Sequence, residues 1–331
     1  MIRSFSAGIA LGLIFAIAII AIYPSNSDYA LQNPYWNGMS ELNRLMHPIQ
    51  LTNLSIIYST EPAGNFALLV IGPTLPYSQS EIESISNFVN RGGLLLIADD
   101  FGSANQLLQG LGINLRLSGV LLLDPLYNVK APQLPLITNV TGVKDIAFNY
   151  GTYLNYTSQS EQKYPVTFFA YSSPFSFGDL KQSGNYVQGD PLGPLPVAAS
   201  IKYGNGVVIV ISDSSLFLNS MINYANNYQF LQKIIADRQA IIDTSHWLYS
   251  YQSEASSIIL SAYDFIQNSG LKYGFAALLL LSIYILNFKV KKEDGDIKKV
   301  IMNHPDWEIK DFEKLYQERK RYYNSGDKSK L

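Results

Sequence analysis

Four aspartates and a histidine stand where three strands could bring them together. Asp99 and Asp100 follow the apolar run 94–98, Asp213 follows 206–212, and Asp243 closes 240–243 with His246 just beyond it. Asn105 and Asn219 each come within two turns of the acid before them. If the runs are neighbouring strands, the acids meet at the carboxyl ends, where open α/β sheets collect ligands. Clustered carboxylates there can hold a divalent cation through oxygen, or work as general acid and base. The same residue types also cap the helix that follows, each at a gain of about 1 kcal/mol, and asparagine locks turns. Capping, cation binding and catalysis all stay open on residue type alone. No cofactor is expected, and the residues do not specify a metal.

Other nucleophiles and ligands are scarce. The chain has no cysteine, which removes thiolate zinc sites, disulfides and cysteine nucleophiles. His47, His246 and His304 are the whole histidine complement, too few for a histidine-rich metal cage. No Gly-x-Ser-x-Gly elbow is present, so a serine mechanism needs His246 brought to Ser214 or Ser215. His304, Pro305 and Asp306 spell the J-domain tripeptide, but the bland reading is one helix stopped by proline and a second one capped by Asp306.

The elements that must position these residues alternate in type. Residues 54–58, 66–71 and 94–98 read as buried strands, short apolar runs bounded by turn residues. Ser78 and Glu81 offer a capping box for a helix through Asn90, whose apolar residues Ile82, Ile85, Phe88 and Val89 share one face. Strand, helix and strand in this order predict a parallel βαβ unit. A further helix covers 106–110, and one carrying Asn219 follows Asp213. Residues 113–195, rich in proline, glycine and tyrosine, read as strands and long loops, with 166–170 the clearest strand. The fold expected is α/β, an open, mainly parallel sheet with flanking helices.

Phrases of this chain also resemble a known family. They run from Tyr77, Ser78 and Glu81 through Phe88-Val-Asn-Arg-Gly-Gly93, then Asp99 and Asp100 with Asn105, then Asp213 with Asn219. The order is similar to that of the archaeal membrane proteins grouped as domain of unknown function 4350. That group is itself similar to the glutamine amidotransferase-like, flavodoxin-like α/β domains of gliding and transport accessory proteins. The resemblance covers about residues 30–250 and implies a non-catalytic member. Working amidotransferases need a cysteine after a strand, and Asp243 with His246 matches the expected acid-and-histidine motif only in part.

Composition adds a membrane expectation. Charged residues make up 15% and hydrophobic ones 47% of the 331, against roughly 25% charged in average soluble domains. Residues 5–23 carry no charge and as a helix would cover about 28 Å, close to a bilayer core. A cleaved signal peptide with Ala16 and Ala18 at its cleavage site is the competing reading. Residues 271–290 form the second candidate span. Five lysines between 289 and 299 against Lys272 alone on the other side place both termini in the cytoplasm by the positive-inside rule.

The domains expected are therefore an anchor at 1–23, an extracytoplasmic α/β domain at 24–250, and a juxtamembrane helix at 251–270. A span at 271–290 and a basic helical tail at 291–331 complete the chain. Sequons at Asn53, Asn139 and Asn155 lie in the outer part and none in the tail.

Charge is divided unevenly. Residues 24–270 hold 10 Lys+Arg and 17 Asp+Glu, a net of −7, whereas 289–331 hold 12 and 9, a net of +3. An acidic central domain argues against nucleic acid as its partner. The partners expected are the lipid bilayer, a membrane or envelope protein, and a cytoplasmic component docking on 291–331. The function expected is a non-enzymatic binding or scaffold subunit of an envelope complex. The alternative is a carboxylate- or metal-dependent hydrolase acting outside the membrane.

Overall fold

The computed structural model describes residues 25–156 and 164–248, together with 313–318 and a few isolated positions. Two compact units divide the chain, Met1–Ile259 and Leu260–Leu331. In the second, residues 313–318 are helical. The first is built on one eight-stranded sheet.

The strands of that sheet are β1 (Ile49–Leu51), β2 (Phe66–Ile71), β3 (Leu94–Ala98), β4 (Asn139–Val140), β5 (Val166–Tyr171), β6 (Pro196–Tyr203), β7 (Gly206–Ile211) and β8 (Gln239–Asp243). Their spatial order is β1-β8-β2-β3-β7-β6-β5-β4. The pairings from β1 through β7 are parallel, and those from β7 through β4 are antiparallel. The helices are α1 (Ser40–Met46), α2 (Gln79–Asn90), α3 (Ala104–Gly110) and α4 (Asn227–Ile235).

The sheet is mixed, which corrects the mainly parallel sheet expected from sequence. The reason lies in four residues. Tyr203 pairs with Gly206 across Gly204 and Asn205, and Gly204 takes a left-handed φ of 58°. A two-residue turn of this kind closes only an antiparallel hairpin, so β6 must return beside β7, and β5 and β4 then add with alternating direction.

Alternation along the parallel strands divides the core into two. Leu68, Val70, Leu95, Ile97, Val208 and Val210 pack with Ile82, Ile85 and Phe88 of α2 and Leu107 and Leu108 of α3. Leu69, Ile71, Leu94, Leu96, Ile209 and Ile211 pack on the other face with Leu42 of α1 and with Phe230 and Leu231 of α4. Parallel strands covered on both faces read as unbroken apolar runs, and β3 is buried at all of its residues. The N-terminus of α2 carries the capping box read from Ser78 and Glu81. Residues 54–59 are a 3-10 helix instead of a strand, because the Asn53 side chain accepts from the Ser55 amide at 2.9 Å and starts a turn. The helix expected to carry Asn219 is only a 3-10 turn, Ser215–Phe217, and Asn219 lies beyond it.

Among the described residues no helix is long and apolar enough to cross a membrane. This overturns the two-span architecture and the two-span cell-membrane localisation expected from sequence. Apolar composition was the misleading signal. In the described residues it resides in strands of five or six residues sealed inside the sheet, not in a continuous helix. The segments 5–23, 251–270 and 271–290, like most of the tail 291–331, lie outside the described residues.

The start of β7 presses on the end of α2. A Cβ on Gly206 would stand 2.2 Å from the Gly93 carbonyl oxygen and 2.3 Å from that of Val89, and backbone cannot withdraw as a side chain does. Gly206→Ala is therefore expected to cost about 3 kcal/mol through forced overpacking. At Gly64 the nearest atom to a new Cβ is 3.8 Å away, so Gly64→Ala is the control and should cost under about 1 kcal/mol. Denaturant midpoints of the two variants measure the difference, and equal midpoints would refute the contact.

Candidate functional site at the carboxyl edge of the sheet

Because β8, β2, β3 and β7 are consecutive neighbours, their carboxyl ends form one edge. Asp243 ends β8, Gly72 follows β2, Asp99 follows β3, and Ser212 and Asp213 follow β7. Adjacent strands lie about 4.8 Å apart, and the register puts Asp99 level with Ser212, next to the turn begun by Asp213, with β2 between it and Asp243. The amide of Asp99 donates to the Ile211 carbonyl at 3.2 Å, and that of Gly72 to Ala98 at 2.8 Å.

Each acid holds the turn it begins. Asp99, 1% exposed, accepts from the amides of Asp100 (2.8 Å), Gly102 (3.1 Å) and Ala104 (3.0 Å), the last being the first residue of α3. Burial pushes its carboxyl up to about 6, outweighing the three amides, which favour the charged form. Asp213 is fully buried and accepts from the amides of Ser215 (2.7 Å) and Asn149 (2.5 Å). Burial, and then the nearby Asp100 charge, drive it well above the usual carboxylate range. Asp100 is only part-buried. It accepts from the Phe101 amide at 2.9 Å and from the Ser214 hydroxyl at 3.4 Å, and burial raises it too.

Tyr29 closes this group from outside the sheet. Its hydroxyl lies 2.8 Å from the Ser214 hydroxyl, and burial followed by the Asp100 charge raises its pKa. Its backbone is left-handed at φ 60°, a conformation that costs a non-glycine residue energy. The ring occupies the space where a Cβ on Gly72 would lie, 2.4 Å away, and Gly72 is itself left-handed at φ 55°.

A second group surrounds His246, which is 4% exposed. Its Nδ1 lies 2.8 Å from Asp243 Oδ2, its Nε2 lies 3.7 Å from Glu81 Oε2, and its ring stacks on Tyr77 with centroids 4.0 Å apart. Asp243 also accepts from the Ser245 amide (2.9 Å) and hydroxyl (2.6 Å). Glu81 belongs at the same time to the α2 capping box, accepting from the Ser78 amide at 2.8 Å. Burial, then the charges of Asp243, Asp99 and Glu81, raise the Tyr77 phenol.

The two asparagines serve the fold. Asn105 clamps Leu117, donating to its carbonyl and accepting from its amide, both at 2.9 Å. Asn219 accepts from the Glu41 amide at the start of α1 (2.8 Å) and donates to the carbonyls of Asn33 (2.9 Å) and Tyr35 (2.6 Å). Of the sequon residues, Asn53, Asn139 and Asn155 are all exposed, with Asn53 also starting its 3-10 turn. Tyr29, Tyr77 and Glu81 are the neighbours of the acids that sequence reasoning did not assign to the site. Glu81 could have been found through its capping box, whereas no local signal marks Tyr29. Among the described residues no three of His, Asp and Glu are grouped to hold a metal ion.

Fold and edge define a three-layer α/β domain with its polar residues gathered at the carboxyl ends of parallel strands. The chain belongs to the family described as domain of unknown function (DUF4350), which matches residues 32–235. No curated protein matches it. Among solved structures, the mmIFT52 N-terminal domain is similar at 15% identity over 51% of this chain and 77% of that one, with a TM-score of 0.39. The exo-beta-1,4-mannosidase Op5Man5 from Opitutaceae bacterium strain TAV5 is similar at 10% identity over 54% and 24%, with a TM-score of 0.29. Neither likeness bears on the activity of this chain.

The raised Asp99 carboxyl gives a pH dependence of known sign. Its folded value of about 6 exceeds the ordinary 3.8, so the folded chain holds this proton more tightly than the unfolded one. The contribution is fully present below about pH 4 and is lost as the pH rises through about 6, on the order of 3 kcal/mol at most. The melting temperature of wild type relative to Asp99→Asn should fall across this window. A constant difference would show that Asp99 ionises at its ordinary value.

Proposed function

We propose that this chain is a non-enzymatic binding or scaffold protein whose α/β domain uses an amidotransferase-like, flavodoxin-like frame. The observation that carries the reading is the orientation of His246. In a hydrolytic triad one ring nitrogen faces the acid and the other faces the nucleophile. Here Nδ1 faces Asp243 and Nε2 faces Glu81. The nearby Ser245 hydroxyl lies 3.1 Å from Nδ1, the nitrogen already bound to the acid. Ser214, the other candidate nucleophile, bonds to Tyr29 and Asp100. With no cysteine in the chain, the amidotransferase mechanism has no nucleophile either.

The remaining carboxylates support the same reading, since Asp99 and Asp213 are engaged by amides of their own and neighbouring turns. The partner in this reading is a protein. A net charge of −7 over residues 24–270 opposes a polyphosphate backbone, and the basic tail 291–331 offers a second protein contact.

Thermal unfolding of the full chain with magnesium, calcium or manganese tests the proposal against a metal-dependent hydrolase. We expect no shift with any of the three ions, and Asp100→Asn close to wild type, because Asn accepts from the Phe101 amide about as well as Asp. A site that held a cation jointly would raise the melting temperature by linkage. A rise of several degrees that disappears in Asp100→Asn would overturn the proposal.

A further inference from the structure

Six large apolar side chains are carried outward on the chain between β3 and β6. Leu126 is 66% exposed, Tyr127 44%, Phe175 53%, Leu180 53%, Tyr186 50% and Leu192 57%. They sit on three turns that brace one another. The Ser173 hydroxyl donates to Asp124 Oδ2 at 2.5 Å, and the Tyr127 and Phe175 rings stack 6.1 Å apart at 11°. Phe177 bridges to Leu192 and meets the Tyr186 ring edge-on at 5.9 Å. The Gly193 amide donates to the Ser176 carbonyl at 2.8 Å.

The charges of this region have been turned inward. Residues 119–129 and 171–195 contain Asp124, Asp179, Asp190 and Lys181 as their charged side chains. The aspartates are 0%, 4% and 6% exposed. Asp124 accepts from the amides of Leu126 (3.0 Å) and Tyr127 (2.7 Å), Asp179 from Ser183 (2.9 Å) and Gly184 (2.8 Å), and Asp190 from Val187 (2.8 Å). Lys181 is left as the exposed charge. The acids thus stiffen the turns, while the outer surface carries the six apolar side chains among neutral polar ones such as Gln182, Ser183, Asn185 and Gln188.

We propose that this surface docks onto the same surface of a second copy of the chain. Charge supports a twin as the occupant. A two-fold contact faces the patch with itself, so a patch dominated by one sign of charge repels its twin, whereas one with little charge does not. Aromatic enrichment with depleted charge is also the composition of an interface core. Area fits as well. Six such side chains half to two-thirds exposed present on the order of 600 Å², at the upper limit for a monomer's largest patch. With the backbone between them they approach the roughly 800 Å² per partner of a stable interface. Turns already fixed by buried aspartates lose little freedom on docking. A lipid surface fits less well, since one lysine offers little to anionic headgroups. The inference is independent of any role for the strand-end acids.

Sedimentation equilibrium of the full chain tests it, with Phe175→Glu and Leu126→Glu as surface variants and Ile56→Glu, at an exposed residue of the 3-10 helix, as control. Wild type and the control are expected to form a concentration-dependent dimer. Each surface variant should weaken it by about 100-fold, as removal of a central anchor does, with an unchanged melting temperature. A monomeric wild type at the highest attainable concentration would overturn the proposal. So would a dimer that persists in both surface variants, or a monomer that instead sediments with neutral or anionic vesicles.

Discussion

A parallel strand sealed on both faces has no water to satisfy the backbone where it ends, and the carboxyl edge of this sheet is organised around that requirement. Each amide in the turn leaving a buried strand needs an acceptor. At β3 and β7 the acceptor is an aspartate within two residues of the strand end. Asp99 is engaged by three amides of its own turn, and Asp213 by the Ser215 amide of its turn and the Asn149 amide of a neighbouring one. The cost is electrostatic. Burial raises Asp99, Asp100 and Asp213 together, and the Asp100 charge further opposes ionisation of Asp213. Backbone satisfaction outranks charge solvation here, and the acids are held at the edge against their own ionisation.

The same logic recurs on the outer turns without the same effect. Asp124, Asp179 and Asp190 are as buried as the strand-end acids, yet they lie under a surface that carries apolar groups. In both places the aspartate is a local fastener. What differs is what the fastened backbone presents, a seam of aspartates at the sheet edge and apolar side chains among neutral polar ones on the inserted turns.

Legibility in the sequence followed the range of the interactions. The α2 capping box was readable because Ser78 and Glu81 are three residues apart, and the strand-end acids were readable because each abuts an apolar run. The Gly204-Asn205 hairpin was also local, but its weight was missed beside the stronger parallel signal of 94–98. Composition misled most, since buried strands and membrane helices draw on the same residues. Tyr29 had no signal at all. Its place depends on Gly72 and Ser214, each remote in sequence, and only the assembled sheet brings them together. Glu81 shows the intermediate case, legible as a cap but not as the neighbour of His246.

Tyr29 also meets the other end of the described domain. Its ring stacks on Trp247 with centroids 6.4 Å apart, and the Trp247 indole donates to the Ile71 carbonyl at 2.7 Å. Entry to and exit from the sheet therefore lie side by side. A domain with adjoining ends can be spliced into a loop of another protein without stretching it, and its own order can be permuted by joining those ends and opening an exposed turn elsewhere. In architectural terms this is a plug-in unit. A stack of two aromatic rings holds those ends together.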